Sequence, residues 1–149
     1  HYPLRRQRQM CIRDRIWSHL MKKNLKYIGY GGKGNQVRDI LHVKDLCEII
    51  ELQLKNIKFI NKKTFTIGGA KNNTISLNDL TNLSEKITKN TIKFNKVKKT
   101  SKYDIPYFVS CNKKIFKFYK WKPKKNVNDI IKDTYNWMIN NKSKISKYI

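Results

Sequence analysis

Apolar residues recur at helical and at alternating spacings along this chain. Leu46, Ile49, Ile50 and Leu54 fall at i, i+3, i+4 and i+8, with Glu48 and Glu51 between them. That spacing predicts an amphipathic helix from Asp45 to Lys55, with Asp45 placed to cap a helix starting at about Leu46. Leu77, Leu80, Leu83 and Ile87 repeat the pattern behind Ser76, a second capping residue. Val127, Ile130, Ile131, Tyr135 and Met138 give the inward face of a helix over 126–140, and Ile16, Trp17, Leu20 and Met21 one over 16–23. A shorter helix is predicted over 112–119. Strand readings fall on Tyr27-Ile28, Gln36 to Val43, Lys63 to Ile67 (closed by Gly68-Gly69) and Ile92 to Val97. Trp121 and Trp137 read as core residues. Strands alternating with helices indicate an α/β chain.

The stretch from Gly29 to Asp45 concentrates the candidate chemistry. A glycine cluster opens it, permitting close backbone approach. Gly29-x-Gly31-x-x-Gly34 spells the dinucleotide-binding fingerprint, but that fingerprint needs a helix directly after it. A strand-like segment follows here, so the stretch reads as a loop near a substrate. Arg38 is the sole arginine after Arg15 in a chain that otherwise uses lysine. A guanidinium fork grips phosphate or carboxylate with two parallel hydrogen bonds, which an ammonium cannot do. A structural pair with a nearby carboxylate is the competing reading. Cys47 reads as a core or boundary thiol, and His42 as a structural histidine with no third residue to orient a catalytic pair.

Four ordered segments carry a family resemblance. Gln36-Val37-Arg38-Asp39-Ile40-Leu41-His42-Val43-Lys44-Asp45 resembles the Q-x-R-D-hydrophobic-hydrophobic-H-V-x-D segment of NAD-dependent epimerase/dehydratases, extended short-chain dehydrogenase/reductases that act on nucleotide sugars. Phe65-Thr66-Ile67-Gly68-Gly69 is similar to that family's late F-N-[IV]-G-G strand. Asp104-Ile105-Pro106-Tyr107-Phe108-Val109-Ser110 with Asn112-Lys113-Lys114-Ile115 resembles its D-I-P segment, with Cys111 where the pattern has Asp. Trp121-Lys122-Pro123-Lys124 resembles the closing G-W-x-P motif, with Lys120 replacing the glycine. The resemblance runs from about Trp17 to the C-terminus.

The resemblance implies an α/β fold: the C-terminal, substrate-binding part of an extended Rossmann-type epimerase, lacking most of the nucleotide-binding sheet. It implies that NAD serves the full-length enzyme through a loop absent from this chain, and that full-length members are often dimeric. The family's Tyr-x-x-x-Lys pair is also missing: none of the tyrosines has a lysine four residues on. The chain is therefore expected to be inert alone. The substrate-binding candidates are Arg38, for the diphosphate of a nucleotide sugar, with Gln36 and Asn35 beside it. Many relatives carry a second arginine where this chain has Ser101, and Lys102 is the candidate substitute, as a point charge. No catalytic, cofactor-binding or metal-binding residue is assigned.

A formal net charge of +24 raises one alternative, a small basic nucleic-acid-binding protein. Against it, the lysines spread along the whole chain amid abundant Asn and Ile, and no nucleic-acid motif is recognisable. Runs such as Lys22-Lys23 and Lys96-Val97-Lys98-Lys99 read as solvated surface. Cys11, Cys47 and Cys111 are widely spaced and odd in number, which makes neither a disulfide framework nor a zinc site. With no apolar run near the roughly 18–20 residues of a membrane span, a cytoplasmic location is expected. Residues 1–15 hold five of the six arginines and read as a non-native scar. A basic arm for an acidic partner is the rival reading, and residues 16–149 are taken as the substrate-side part.

Overall fold

The computed structural model describes residues 12–60, 62–102 and 104–146. They form two compact units. Among the described residues, the first comprises 12–37, 76–102, 104–107 and 131–146, and the second 38–60, 62–75 and 108–130.

In the first unit, strand β1 (Leu25–Ile28) pairs in parallel with β4 (Phe94–Val97), from Leu25 opposite Phe94 to Ile28 opposite Val97. Helices α1 (Ile12–Leu20) and α4 (Leu77–Thr88) pack on each other. Ile16, Trp17, Tyr27, Leu77, Leu80 and Ile92 supply buried apolar surface. Ser76 caps α4 as expected: its Oγ accepts the Asp79 N–H at 3.0 Å and donates to Asp79 Oδ2 at 2.6 Å. Such a reciprocal pair satisfies a helix-end donor that would otherwise be orphaned.

Helix α1 begins inside the segment set aside as foreign. Arg15 is 2% exposed, and its Nη1 donates to Thr81 Oγ1 at 2.7 Å. Its guanidinium lies 5.3 Å from the Tyr27 ring centroid. His19 is fully buried, with Nδ1 2.8 Å from the Arg15 carbonyl. Burial lowers the pKa of both Arg15 and His19. Thus residues 12–15 take part in the fold, while residues 1–11 lie outside the described ones.

The second unit holds α2 (Val43–Lys55), α3 (Ile57–Ile60) and α5 (Lys113–Tyr119). Ile49, Ile115 and Trp121 form its buried centre, with Leu41, Leu52, Phe65, Ile67 and Tyr119 packed around them. Three short strands, β2 (Val37–Asp39), β3 (Thr74–Ser76) and β5 (Tyr107–Phe108), run in the order β3-β2-β5. Helix α6 (Val127–Asn140), with Ile130, Ile131 and Met138 buried, starts in this unit and from Ile131 belongs to the first, as does α7 (Lys142–Ile145).

Several expectations are corrected. Residues 63–67 are irregular rather than a strand; Phe65 and Ile67 pack on the core cluster, and no strand among the described residues pairs with them. The strand expected over 36–43 is regular only from Val37 to Asp39. Asp45 does not cap α2. That role falls to His42, whose Nδ1 accepts the Lys44 N–H at 3.0 Å. Trp137 is 55% exposed rather than core: Met138, one residue and about 100° further around the helix, takes the inward position. Cys47 is exposed. Of the apolar positions read as the buried face of α2, Ile49 alone is buried, and Leu46, Ile50 and Leu54 are exposed.

Candidate functional site

The resemblance-bearing segments of the second unit converge on one hub. Asp39, in β2, accepts the Ala70 N–H at 2.9 Å and the hydroxyl of Ser110 on the same oxygen, Oδ2. Asn112 grips Gly68 from both sides: its Oδ1 accepts the Gly68 N–H at 3.1 Å and its Nδ2 donates to the Gly68 carbonyl at 2.7 Å. Asp45 reaches out of the first turn of α2 to accept the N–H groups of Lys124 and Lys125 at 3.2 and 3.1 Å. Asn73 donates to the Lys125 carbonyl at 2.8 Å. Segments from residue 39 to residue 125 are thus tied by side chains to backbone groups that have no helix or sheet partner.

Glycine is required in this hub for space. A methyl on Gly69 would overlap the Ile40 carbonyl oxygen, and one on Gly68 would overlap the Ser110 hydroxyl. The buried Asp45 and Asn73 replace water at those backbone groups, which buried polar groups need.

Arg38 emerges from this scaffold, half-buried in β2. The backbone beside it is fixed: Val37 N–H donates to the Pro106 carbonyl and Ile40 N–H to the Asn73 carbonyl, both at 2.9 Å. Gln36 is 4% exposed, and its Nε2 donates to the Ile28 carbonyl at 2.7 Å. Its Oε1 is buried with no hydrogen-bond partner among the described residues. Asn35 is exposed in the loop before β2, and Lys102 is exposed in a turn after β4. Asn35, Gln36 and Arg38 are therefore neighbours along the chain, whereas Lys102 comes from a separate segment.

The glycine loop does not fit a dinucleotide. After β1 it makes a single tight turn at Tyr30–Gly32 and then runs into β2, so no helix N-terminus follows it. Its polar backbone is already engaged: Gly29 N–H bonds Val97, Gly32 N–H bonds Gly29, and the Gly34 carbonyl accepts from Asn78. Gly32 and Gly34 are held to glycine by Lys96 and Tyr27, which a Cβ would approach to 2.7 and 3.1 Å. This loop thus offers no NAD cradle, and no group of three or more His, Cys, Asp or Glu that could hold a metal occurs among the described residues.

Sequence reading singled out Arg38 but missed the work of Asp39, Asp45, Gly68, Gly69, Ser110 and Asn112. Their signal was present in the motifs themselves, as polar and glycine residues interrupting otherwise apolar segments.

This fold is shared with part of solved NAD-bound epimerases and dehydratases, and over the length it spans the chain is similar in sequence to a curated epimerase. It is 33% identical over 106 residues to the CDP-paratose 2-epimerase of Salmonella typhi, a match covering 71% of this chain and 31% of the relative. Among solved structures, the UDP-glucuronic acid 4-epimerase of Bacillus cereus, in complex with UDP-glucuronic acid and NAD, superposes with a TM-score of 0.76 at 21% identity. That match covers 89% of this chain and 40% of the epimerase. The dTDP-glucose 4,6-dehydratase of Bacillus anthracis, in complex with NAD, gives 0.71 at 22% identity over 91% of this chain and 41% of its own. No family model matches the chain. The chain therefore spans about a third of the curated relative and two-fifths of the solved ones. No helix among the described residues is long and apolar enough to cross a membrane.

Proposed function

We propose that the chain supplies the substrate side of an NAD-dependent nucleotide-sugar epimerase or dehydratase, with Arg38 holding the sugar-linked diphosphate. One observation supports this best. The only arginine beyond residue 15 stands on a strand whose two flanking amides are hydrogen-bonded and whose next residue, Asp39, is tied to Ala70 and Ser110. A planar fork on a fixed backbone loses little freedom on gripping two phosphate oxygens, so more of its interaction energy appears as affinity. In this reading Asn35 offers an amide to the same ligand and Lys102 a point charge. Gln36 acts differently, bracing the strand through Ile28.

Hydride transfer is the chemistry of the bound NAD, and the groups that hold that cofactor belong to the remaining length of the relatives. The chain alone binds substrate without turning it over. Thermal unfolding with and without UDP-glucuronic acid tests this. The account expects the nucleotide sugar to raise the midpoint for the parent chain and not for Arg38→Lys. An equal rise in both would overturn the role of Arg38. The nucleic-acid alternative has only the net charge behind it; a steep salt-dependent affinity for arbitrary DNA would be its mark.

A further inference from the structure

The loop between β1 and β2 is strained at one residue. Its backbone takes positive φ at Gly29, Tyr30, Gly31, Gly32 and Gly34. Four of these are glycines, to which that region is open. Tyr30 is the exception, at φ +47°, and a bulky residue there is an outlier that its surroundings must hold in place. Two long-range hydrogen bonds hold it. The Tyr30 N–H donates to Thr100 Oγ1 at 2.8 Å, and the Tyr30 hydroxyl donates to the Asp104 carbonyl at 2.5 Å. Gly29 lies against the same two residues: a Cβ there would stand 3.4 Å from Thr100 Cγ2 and 3.5 Å from Asp104 Oδ2. The Asp104 N–H also donates to the Ser101 carbonyl at 3.0 Å. Tyr30 thus fastens Thr100 on one side of Lys102 and Asp104 on the other, and Lys102 itself is exposed between them. The loop is pinned in turn to β4 and α4, through the Gly29 N–H to the Val97 carbonyl and the Asn78 N–H to the Gly34 carbonyl.

We propose that Tyr30 is a positioning residue for the nucleotide sugar: by fastening Thr100 and Asp104 it fixes the backbone from which Lys102 offers its charge to the diphosphate. This rests on the reading of Lys102 as a substrate contact. An arginine brings its own geometry to a phosphate, because its donors form a rigid fork. A lysine is a point charge on a flexible stem, with much rotamer freedom to lose. Any geometry at Lys102 therefore has to come from the backbone beneath it. On a loose turn, binding would have to order that backbone as well as the stem; on a fastened one the backbone is ordered during folding, and more of the charge interaction appears as affinity. A latch that only stabilises the loop is the competing account. The two differ in one respect: positioning acts through Lys102, and stabilisation does not.

Calorimetric titration with UDP-glucuronic acid of the parent, Tyr30→Phe, Lys102→Ala and the double variant tests this. Tyr30→Phe removes one hydroxyl donor and keeps the ring. In the parent background it should raise Kd about twofold to tenfold, the worth of one hydrogen bond. In the Lys102→Ala background it should raise Kd not at all, which is the mark of two residues acting as one. The ratio of the Tyr30→Phe and parent Kd values should also shrink as salt is raised, since an exposed point charge is screened. Additive losses, a salt-independent ratio or an unchanged Kd would each overturn the proposal. Hydrogen exchange keeps the structural account apart. The Asp104 amide should exchange faster in Tyr30→Phe while the α4 amides keep the parent rate; equal acceleration of both would show that the hydroxyl serves the stability of the unit instead. Absence of binding by the parent overturns this proposal and the diphosphate reading together. Affinity lost in Arg38→Lys but unchanged in Tyr30→Phe overturns this one alone.

Discussion

Gly69→Ala probes the hub where the distant segments meet. The added methyl would overlap the Ile40 carbonyl oxygen and lie 2.7 Å from the Ile40 carbonyl carbon and 2.8 Å from Asn73 Cβ. Carbon contacts settle at about 3.5–4.0 Å, so backbone must move by roughly 1 Å. Overpacking of this kind costs about 1–3 kcal/mol. The shift also strains the Ile40-to-Asn73 hydrogen bond and the charge-assisted bond from Ala70 to Asp39, worth about 0.5–1.5 and 1.5–3 kcal/mol when lost outright. A destabilisation of about 3–5 kcal/mol follows, large against a typical total of about 5–15. Gly31→Ala is the contrast. Nothing lies within 4 Å of its would-be Cβ, but its φ is +73°, so the cost is the left-handed penalty of about 1–2 kcal/mol. Native-state hydrogen exchange of the α2 and α5 amides reads the second unit's opening free energy. Gly69→Ala should speed it by roughly 10² to 10⁴-fold, at tenfold per 1.4 kcal/mol. An acceleration under tenfold, or a larger effect from Gly31→Ala on those amides, would refute the steric argument.

Three further outcomes follow from buried polar groups. Arg15 is a buried cation whose Nε has no partner among the described residues. Replacing a buried ion pair by apolar side chains of similar volume is often neutral or stabilising by up to about 4 kcal/mol because the desolvation cost is removed, and Arg15 carries the same cost, so Arg15→Met should raise the midpoint of thermal unfolding; a drop would show that the Thr81 bond and the Tyr27 stacking outweigh desolvation. His19 has its pKa lowered below 6.5, first by burial, opposed by its bond to the Arg15 carbonyl and assisted by the Arg15 charge. The unfolded chain therefore takes up that proton first, and the contribution of His19 is complete above pH 6.5 and lost as pH falls below it. Urea midpoints measured across that range should fall less steeply for His19→Gln than for the parent, and parallel curves would contradict the assignment. Asp45→Ala strands the Lys124 and Lys125 amides and should cost about 2–4 kcal/mol, whereas a mere loss of helix-end charge would cost about 0.3–1; chemical denaturation separates the two.

Legibility in the sequence divided along physical lines. Helices α4 and α6 were read because each presents an apolar stripe and, for α4, a serine cap: Leu77, Leu80, Ile130, Ile131 and Met138 are buried as expected, whereas Leu83, Ile87, Val127 and Tyr135 are half-buried and the buried Thr81, Ser84 and Thr88 went unread. The extent of α2 was read well, but not its environment, since periodicity reports an apolar face without saying what covers it. Strands β3 and β5, at three and two residues, are too short to show a period. Residues 63–67 had strand composition, but no strand among the described residues pairs with them, and pairing is what makes a strand. Asp45 was misread because a local cap and a long-range acceptor carry the same residue signature. The hub of Asp39, Ser110 and Asn112 joins residues up to 71 positions apart, and no local rule reaches that far. Arg38 was legible for the opposite reason: its chemistry stood out against a lysine background.

The diphosphate role of Arg38 is tested most directly by calorimetric titration of the chain with UDP-glucuronic acid, parent against Arg38→Lys. Loss of a bidentate, charge-assisted contact of about 1.5–3 kcal/mol predicts a Kd raised roughly 10- to 150-fold by the substitution. Equal affinities for the two chains, or no binding by the parent at millimolar nucleotide sugar, would contradict it.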